Sequence, residues 1–428
     1  MSKANKQPKT NEQILYAKKI KQPNFIYNVL GWVWRMFMYK KYNVKCTFKC
    51  DFDKKKGPYI FISNHASRLD YIFTGIPMLP ARLNYVAGYN EFYRSHLAGV
   101  FGLLRVIPKK NFTPDHYALK EISRVLKNDG KIIIFPEGMN SISGANQPVA
   151  IGTGKFLKHY KVPVYYSVIK GGYLTSPKYN LRDRCGRVEV EIDRLFTPEQ
   201  LETLTAEEIE DIVNKAIYHD DYAWNKEKGY RYDIGENGAE NLETLLFWCP
   251  KCGKQHTMQG TGNVFACKEC GNGFTLQDTY EMKPLNDQCV LPETQTAWFN
   301  QQREVIKAEV QAADFALSAR VRLGALPKQG KLKNQATSNI VGEGMLTLDR
   351  TGLTYQGSRD NAEYAFHIDS KNLPTYGMCT DISRFYTFYQ GEFLEFYPEE
   401  NLVEKFFLAT EEIHRLNGGR WQDFKFEK

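Results

Sequence analysis

A histidine stands five residues ahead of an aspartate in Asn64-His65-Ala66-Ser67-Arg68-Leu69-Asp70, and these two side chains suit a general base with its orienting carboxylate. An imidazole with an ordinary pKa of about 6.5 is largely neutral near pH 7 and able to take a hydroxyl proton. A carboxylate on the other ring nitrogen fixes the tautomer and stabilises the imidazolium that forms. At about 100° per residue, a separation of five sets two side chains about 140° apart on one helix, so the pair suits a strand-to-helix corner. The buried-strand pattern of Tyr59-Ile60-Phe61-Ile62-Ser63 supplies the strand. His65 is then expected at the strand end and Asp70 in the first helical turn. The plainer alternative is a histidine that only caps the helix.

Two further apolar runs set the context. Gly130-Lys131-Ile132-Ile133-Ile134-Phe135 leads directly into Pro136-Glu137-Gly138-Met139-Asn140-Ser141, and Val162-Pro163-Val164-Tyr165-Tyr166-Ser167-Val168-Ile169 follows a lysine-bearing helical stretch. The ordered set NHASRLD, FPEGMNS and VPVYYSV resembles the glycerolipid acyltransferase family that includes bacterial lysophosphatidic acid acyltransferases, over about residues 25–240. The resemblance implies an α/β acyltransferase domain with a mixed central sheet flanked by helices. It also implies His65 as general base, Asp70 as its partner, and Glu137-Gly138 in the acceptor-binding wall. Two arginines that the family uses for the acceptor's phosphate have no plain counterpart. Lys109 or Lys110 lies near one expected position and Asn140 fills the other. A lysine can bind phosphate as a point charge but without the bidentate fork; the alternative for Lys109-Lys110 is a solvated loop.

The chemistry follows without the family. A thioester already has a good leaving group, so transfer to an alcohol chiefly requires a positioned, deprotonated hydroxyl and stabilisation of the tetrahedral oxyanion. No Gly-x-Ser-x-Gly elbow lies near His65, which favours direct attack by the acceptor over an acyl-enzyme. The expected donor is acyl-coenzyme A or acyl-carrier protein, and the expected acceptor 1-acylglycerol 3-phosphate or, with Asn140 in place of arginine, another lysolipid or glycolipid.

Downstream, Cys249-Pro250-Lys251-Cys252-Gly253 pairs with Cys267-Lys268-Glu269-Cys270-Gly271. Two such knuckles supply four thiolates for a tetrahedral zinc and leave no open position for water, so a structural zinc ribbon is expected. Cysteines in this pattern fit a reducing compartment. Residues 248–274 hold three lysines against one glutamate, 3 − 1 = +2, too little to favour nucleic acid. A non-catalytic zinc-ribbon binding protein is the alternative from another class.

The 428 residues carry a net charge of +8, yet residues 1–56 alone hold 14 Lys+Arg against 3 Asp+Glu, a net of +11 that leaves 8 − 11 = −3 for the rest. Within that basic segment, Phe25 to Tyr39 reads as a helix rich in Trp and Phe, with Asn28, Gly31 and Arg35 on a narrow polar stripe. It is too short to span a bilayer but suits an anionic membrane surface, where flanking Lys40, Lys41, Lys45 and Lys49 each contribute about 1 kcal/mol. Packing of the same helix on the core is the alternative. No run reaches the ~20 apolar residues of a spanning helix, and the polar start lacks the apolar stretch of a secretory signal. The expectation is a cytoplasmic protein, peripheral at the inner face of the cell membrane.

The expected organisation is a basic segment with an amphipathic helix (1–56), the acyltransferase domain (57–240), the zinc ribbon (241–280), a helical transition (281–335) and a β-rich, pleckstrin-homology-like unit (336–428). In the last unit, strands are expected at 345–348, 353–355, 384–389, 392–397 and 403–408, and a short helix at 410–416.

Overall fold

The computed structural model describes residues 8–334 and 336–421. Lys3 and Lys6 of the basic segment, and Gln335 at the expected edge of the β-rich unit, lie outside the described residues. The first sheet contains β1 (Val44–Phe48), β2 (Tyr59–Ser63), β3 (Leu83–Gly88), β4 (Ile107–Lys109), β5 (Lys131–Ile134), β6 (Val164–Lys170) and β7 (Val188–Phe196). Their order is β1-β7-β6-β2-β5-β3-β4. Only the β6–β7 pair is antiparallel; the other neighbours run parallel.

A strand inside a parallel sheet is covered on both faces and so reads as a continuous apolar run. In β2, every residue is buried. Ile60 and Ile62 join Ile132 in a core with the helices His116–Leu126, Thr153–Tyr160 and Ala206–Ile217. Tyr59, Phe61 and Ile133 face the other way, toward Phe73 of the helix Asp70–Gly75. The chain leaves β2 for β3 in one direction and leaves β5 for β6 in the other. The carboxyl ends of these adjacent strands therefore bound the crevice at which open α/β sheets bind ligands.

The second sheet is an antiparallel set in the order β11-β10-β9-β8, built from β8 (Met258–Thr261), β9 (Val264–Cys267), β10 (Gly273–Leu276) and β11 (Met282–Pro284). A helix, Gln295–Glu309, leads to the third sheet, composed of β12 (Ala316–Ala325), β13 (Asn339–Asp349), β14 (Gly352–Arg359), β15 (Ala362–Asp369), β16 (Gly377–Met378), β17 (Phe385–Tyr389) and β18 (Glu392–Pro398). Its order, β15-β14-β13-β12-β18-β17-β16, is two antiparallel meanders joined through β12 and β18. A terminal helix, Val403–Leu416, completes the unit.

The expected strand at 403–408 is therefore wrong. Val403, Phe406, Phe407, Thr410 and Ile413 are all buried, and spacings of three and four place them along one helical stripe. A six-residue window containing Phe-Phe-Leu fits either periodicity; the longer run decides it.

Candidate active site

His65 and Asp70 meet at the corner that the sequence leads one to expect. The strand β2 ends at Ser63, and Asp70 is the first residue of its helix. His65 Nδ1 lies 2.7 Å from Asp70 Oδ2, with the imidazole 25% exposed and the carboxylate fully buried. Because an ionised carboxylate only accepts, Nδ1 carries the shared hydrogen and Nε2 keeps its lone pair. Asp70 is held independently: the Ser67 N–H donates to both its oxygens at 3.0 and 2.9 Å, and the Ser67 hydroxyl donates to Oδ1 at 3.1 Å. Burial pushes the Asp70 carboxyl above its ordinary range, against the opposing pull of His65 and Ser67. A desolvated carboxylate gains most when a positive charge forms beside it, which favours the imidazolium that proton abstraction creates.

The backbone of His65 is fixed from β5. Its N–H donates to Glu137 Oε1 at 2.7 Å, and its carbonyl accepts from the Ser141 N–H at 2.6 Å. The ring stacks on Phe135 with centroids 4.5 Å apart. Asn64, just before it, is tied to β6: its amide donates to the Ile169 carbonyl at 2.9 Å and accepts the Ile169 N–H at 2.7 Å. The motif is thereby clamped to both neighbouring strands.

Glu137, read as part of the acceptor wall, has a different role in the structure. It is buried, and besides the His65 N–H it accepts from Asn146 Nδ2 at 2.8 Å and from the Gln147 N–H at 3.0 Å. Burial pushes its carboxyl up to about 8 against these donors. With both oxygens engaged, Glu137 holds His65 rather than facing a substrate. Gly138 sits at φ +80°, with the Phe112 ring 2.9 Å from where a Cβ would stand. Its carbonyl accepts from Asn111 Nδ2 at 3.0 Å.

The two lysines also depart from expectation. Lys109 ends β4, three strand positions from β2, a lateral separation of about 14 Å at the usual ~4.8 Å spacing. Its ammonium donates to the Lys110 carbonyl at 3.0 Å, and burial lowers its pKa. The Lys110 ammonium donates to Glu12 Oε1 at 3.0 Å and to the Gly391 carbonyl at 2.8 Å. Lys110 thus ties the N-terminal helix Asn11–Tyr16 to the β17–β18 turn, and its donors are directed away from a phosphate role. At Asn140, by contrast, a cation that the sequence did not single out comes close. Lys178 Nζ donates to Asn140 Oδ1 at 2.8 Å. Neither Lys178, Asn146 nor Phe135 stands at a spacing from His65 that would flag it; they converge only through the sheet.

Away from this crevice, Cys249, Cys252, Cys267 and Cys270 bring their sulfurs within 4.8 Å of one another. Cys249 and Cys270 are 3.6 Å apart, and Cys252 and Cys267 are 3.8 Å apart. Tetrahedral Zn–S bonds of about 2.3 Å require sulfurs about 3.8 Å apart, whereas a disulfide requires about 2.05 Å. The donor set and spacing therefore fit a metal. Among the described residues, no helix is long and apolar enough to cross a membrane.

Comparison with known proteins agrees with the geometry. Residues 43–170 match a family model described as Acyltransferase. A curated 1-acyl-sn-glycerol-3-phosphate acyltransferase from Cocos nucifera is 28% identical over 214 residues, 48% of this chain and 65% of the relative. The chain thus spans somewhat less than two thirds of that relative's length. The crystal structure of the 1-acyl-sn-glycerophosphate (LPA) acyltransferase PlsC from Thermotoga maritima aligns with a TM-score of 0.37 at 20% identity, over 47% of this chain and 78% of that one. Residues 43–170, which span the histidine corner and the strands that clamp it, match the acyltransferase family model, and the curated relative that this chain resembles is a glycerolipid acyltransferase.

Proposed function

We propose that this protein transfers a fatty acyl group from an acyl thioester, on coenzyme A or acyl-carrier protein, to the free hydroxyl of 1-acylglycerol 3-phosphate, giving phosphatidic acid. The observation that carries this reading is the 2.7 Å contact between His65 Nδ1 and buried Asp70 within a segment of the acyltransferase family. In the reaction, His65 Nε2 takes the hydroxyl proton as the acceptor oxygen attacks the thioester carbonyl. The tetrahedral intermediate then expels the thiolate, and the imidazolium returns a proton to it. Ser67, the serine nearest the pair in sequence, donates its hydroxyl to Asp70, which supports direct transfer without an acyl-serine. Incubation with acyl-coenzyme A or acyl-carrier protein and a panel of lysolipids tests the reading. Phosphatidic acid formed with release of free thiol is expected; no transfer to lysophosphatidic acid from either donor contradicts it.

We also propose that the protein works at an anionic membrane surface, at the inner face of the cell membrane. Supporting this, the helix Ile26–Lys41 buries only Tyr27. Trp32, Trp34, Met36 and Phe37 stand exposed, and the helix ends in Lys40 and Lys41. The four cysteines are proposed to hold a structural zinc, whose contribution is to close the ribbon rather than to take part in the chemistry. The two meanders followed by a helix support a pleckstrin-homology-like reading of the C-terminal unit.

A further inference from the structure

Residues 110–113, the loop between β4 and the helix His116–Leu126, lie between the C-terminal unit and the turn that carries Glu137 and Gly138. Lys110 donates its ammonium to the Gly391 carbonyl in the β17–β18 turn at 2.8 Å. Asn111 Nδ2 donates to the Gly138 carbonyl at 3.0 Å, and the same side chain hydrogen-bonds Tyr386 of β17. Phe112 touches both sides at once. Its ring is 2.9 Å from where a Cβ of Gly138 would stand, and it meets Trp421 edge-on, with centroids 5.6 Å apart and planes at 86°. Across a small cleft, Asn111, Phe112 and Thr113 face Thr375, Tyr386 and Thr387.

Phe112 has φ +57°, a left-handed conformation that a bulky L residue rarely adopts. Such strain persists where the surroundings over-determine it, and here they act from two directions. Trp421 is buried; its indole N–H donates to Glu411 Oε1 at 3.0 Å, and its carbonyl accepts from Arg415 Nε at 2.9 Å. Glu411, fully buried, also accepts from Thr375 Oγ1 at 2.8 Å and from Arg303 at 2.7 Å. Trp421 is therefore a fixed surface of the C-terminal unit. On the other side, the absence of a Cβ at Gly138 lets Phe112 press against the turn, and the preceding Glu137 accepts the His65 N–H at 2.7 Å.

We propose that Asn111 and Phe112 are positioning residues through which the C-terminal unit sets His65 for acyl transfer. Asn111 fixes the Gly138 carbonyl, Phe112 packs on the same glycine, and Trp421 keeps Phe112 in its strained conformation. Loss of any of these contacts frees the turn 137–141, and the Glu137 and Ser141 bonds to the His65 backbone move with it. A displacement of about 1 Å in a reacting group can cost about 10²-fold in rate. The C-terminal unit thereby acts on turnover and not only on stability. This inference rests on the acyl-transfer reading above.

The test is steady-state kinetics of the full chain, with an acyl thioester and the lysolipid that the wild type acylates fastest. Trp421→Ala and Phe112→Ala are each expected to lower kcat at least tenfold while KM stays within threefold. Because both cut one chain of contacts, the double variant is expected to lose no more than threefold beyond the slower single variant. A kcat within threefold of wild type in Trp421→Ala, a rise in KM as the main effect, or losses that multiply in the double variant overturns the proposal. Should either alanine variant fail to fold, Asn111→Asp decides it, since it keeps the size of the side chain but removes the donor to Gly138. There, kcat at least tenfold lower with KM within threefold supports the proposal, and an unchanged kcat overturns it. A wild type that transfers no acyl group to any lysolipid overturns the acyl-transfer reading and this inference with it. An active wild type whose variants keep its kcat overturns only the inference.

Discussion

His65 is held at four points: Asp70 at the ring nitrogen, Phe135 against the ring, Glu137 at the backbone N–H and Ser141 at the carbonyl. In the proposed reaction Asp70 has a chemical task beyond orientation, because its desolvation makes the imidazolium the favoured partner. Asp70→Asn preserves shape but offers an amide to Nδ1, so it removes the charge and allows the wrong tautomer. We expect acyl transfer to fall about 10²- to 10⁴-fold, with little change in KM, as measured by steady-state kinetics. The His65–Asp70 contact was legible in the sequence because a short corner brings the two side chains together within one motif. Glu137 was legible as a residue but not in its role. Its donors include the backbone of His65, 72 positions away, and only the β2–β5 pairing makes them neighbours. Lys178 gave no signal at all, since an isolated lysine in a Ser-Pro-Lys-Tyr loop reads as solvated surface.

The helix Ile26–Lys41 turns an unexpected side to the protein. Tyr27 and Gly31 face inward, and Gly31 lets Leu79 approach to 2.9 Å from where a Cβ would stand. The aromatic sides face out, with Trp32 52% and Phe37 63% exposed. Trp32→Ser with Phe37→Ser should therefore leave the melting temperature unchanged while weakening sedimentation with anionic vesicles tenfold or more, and added salt should weaken the wild type further. Deleting the whole N-terminus is a poorer test, because Asn11 Nδ2 bonds the Pro327 carbonyl at 2.9 Å and the Ile20 N–H bonds Glu121 at 2.7 Å. The four-cysteine cluster was legible because its members come as two local knuckles. Purified protein should contain one zinc per chain by elemental analysis. Cys252→Ser or Cys267→Ser should lower the metal content and the melting temperature, because metal binding is coupled to folding in such sites. The terminal helix was misread because a short apolar window does not reveal its period.

At the scale of the molecule, a single buried cluster runs from one face of the first sheet through the ribbon to the C-terminal unit. The helix Gln295–Glu309 joins them. Trp298 donates to the Trp248 carbonyl at 2.9 Å, Gln302 Oε1 accepts the Phe247 N–H at 2.8 Å, and Arg303 pairs with Glu411 at 2.7 Å. These contacts link segments 50 to 108 residues apart, which is why local patterns separated the units but gave no account of how they pack. The whole assembly holds a crevice at the carboxyl ends of β2 and β5, and the central claim is that His65 there acts as the base for acyl transfer. The most direct measurement is the acyl transfer rate of His65→Ala with an acyl thioester and 1-acylglycerol 3-phosphate, alongside its circular dichroism and melting temperature. The expected result is a folded variant whose rate is lower by about 10²- to 10⁴-fold; a folded His65→Ala that turns over at close to the wild-type rate would contradict a general-base role for His65.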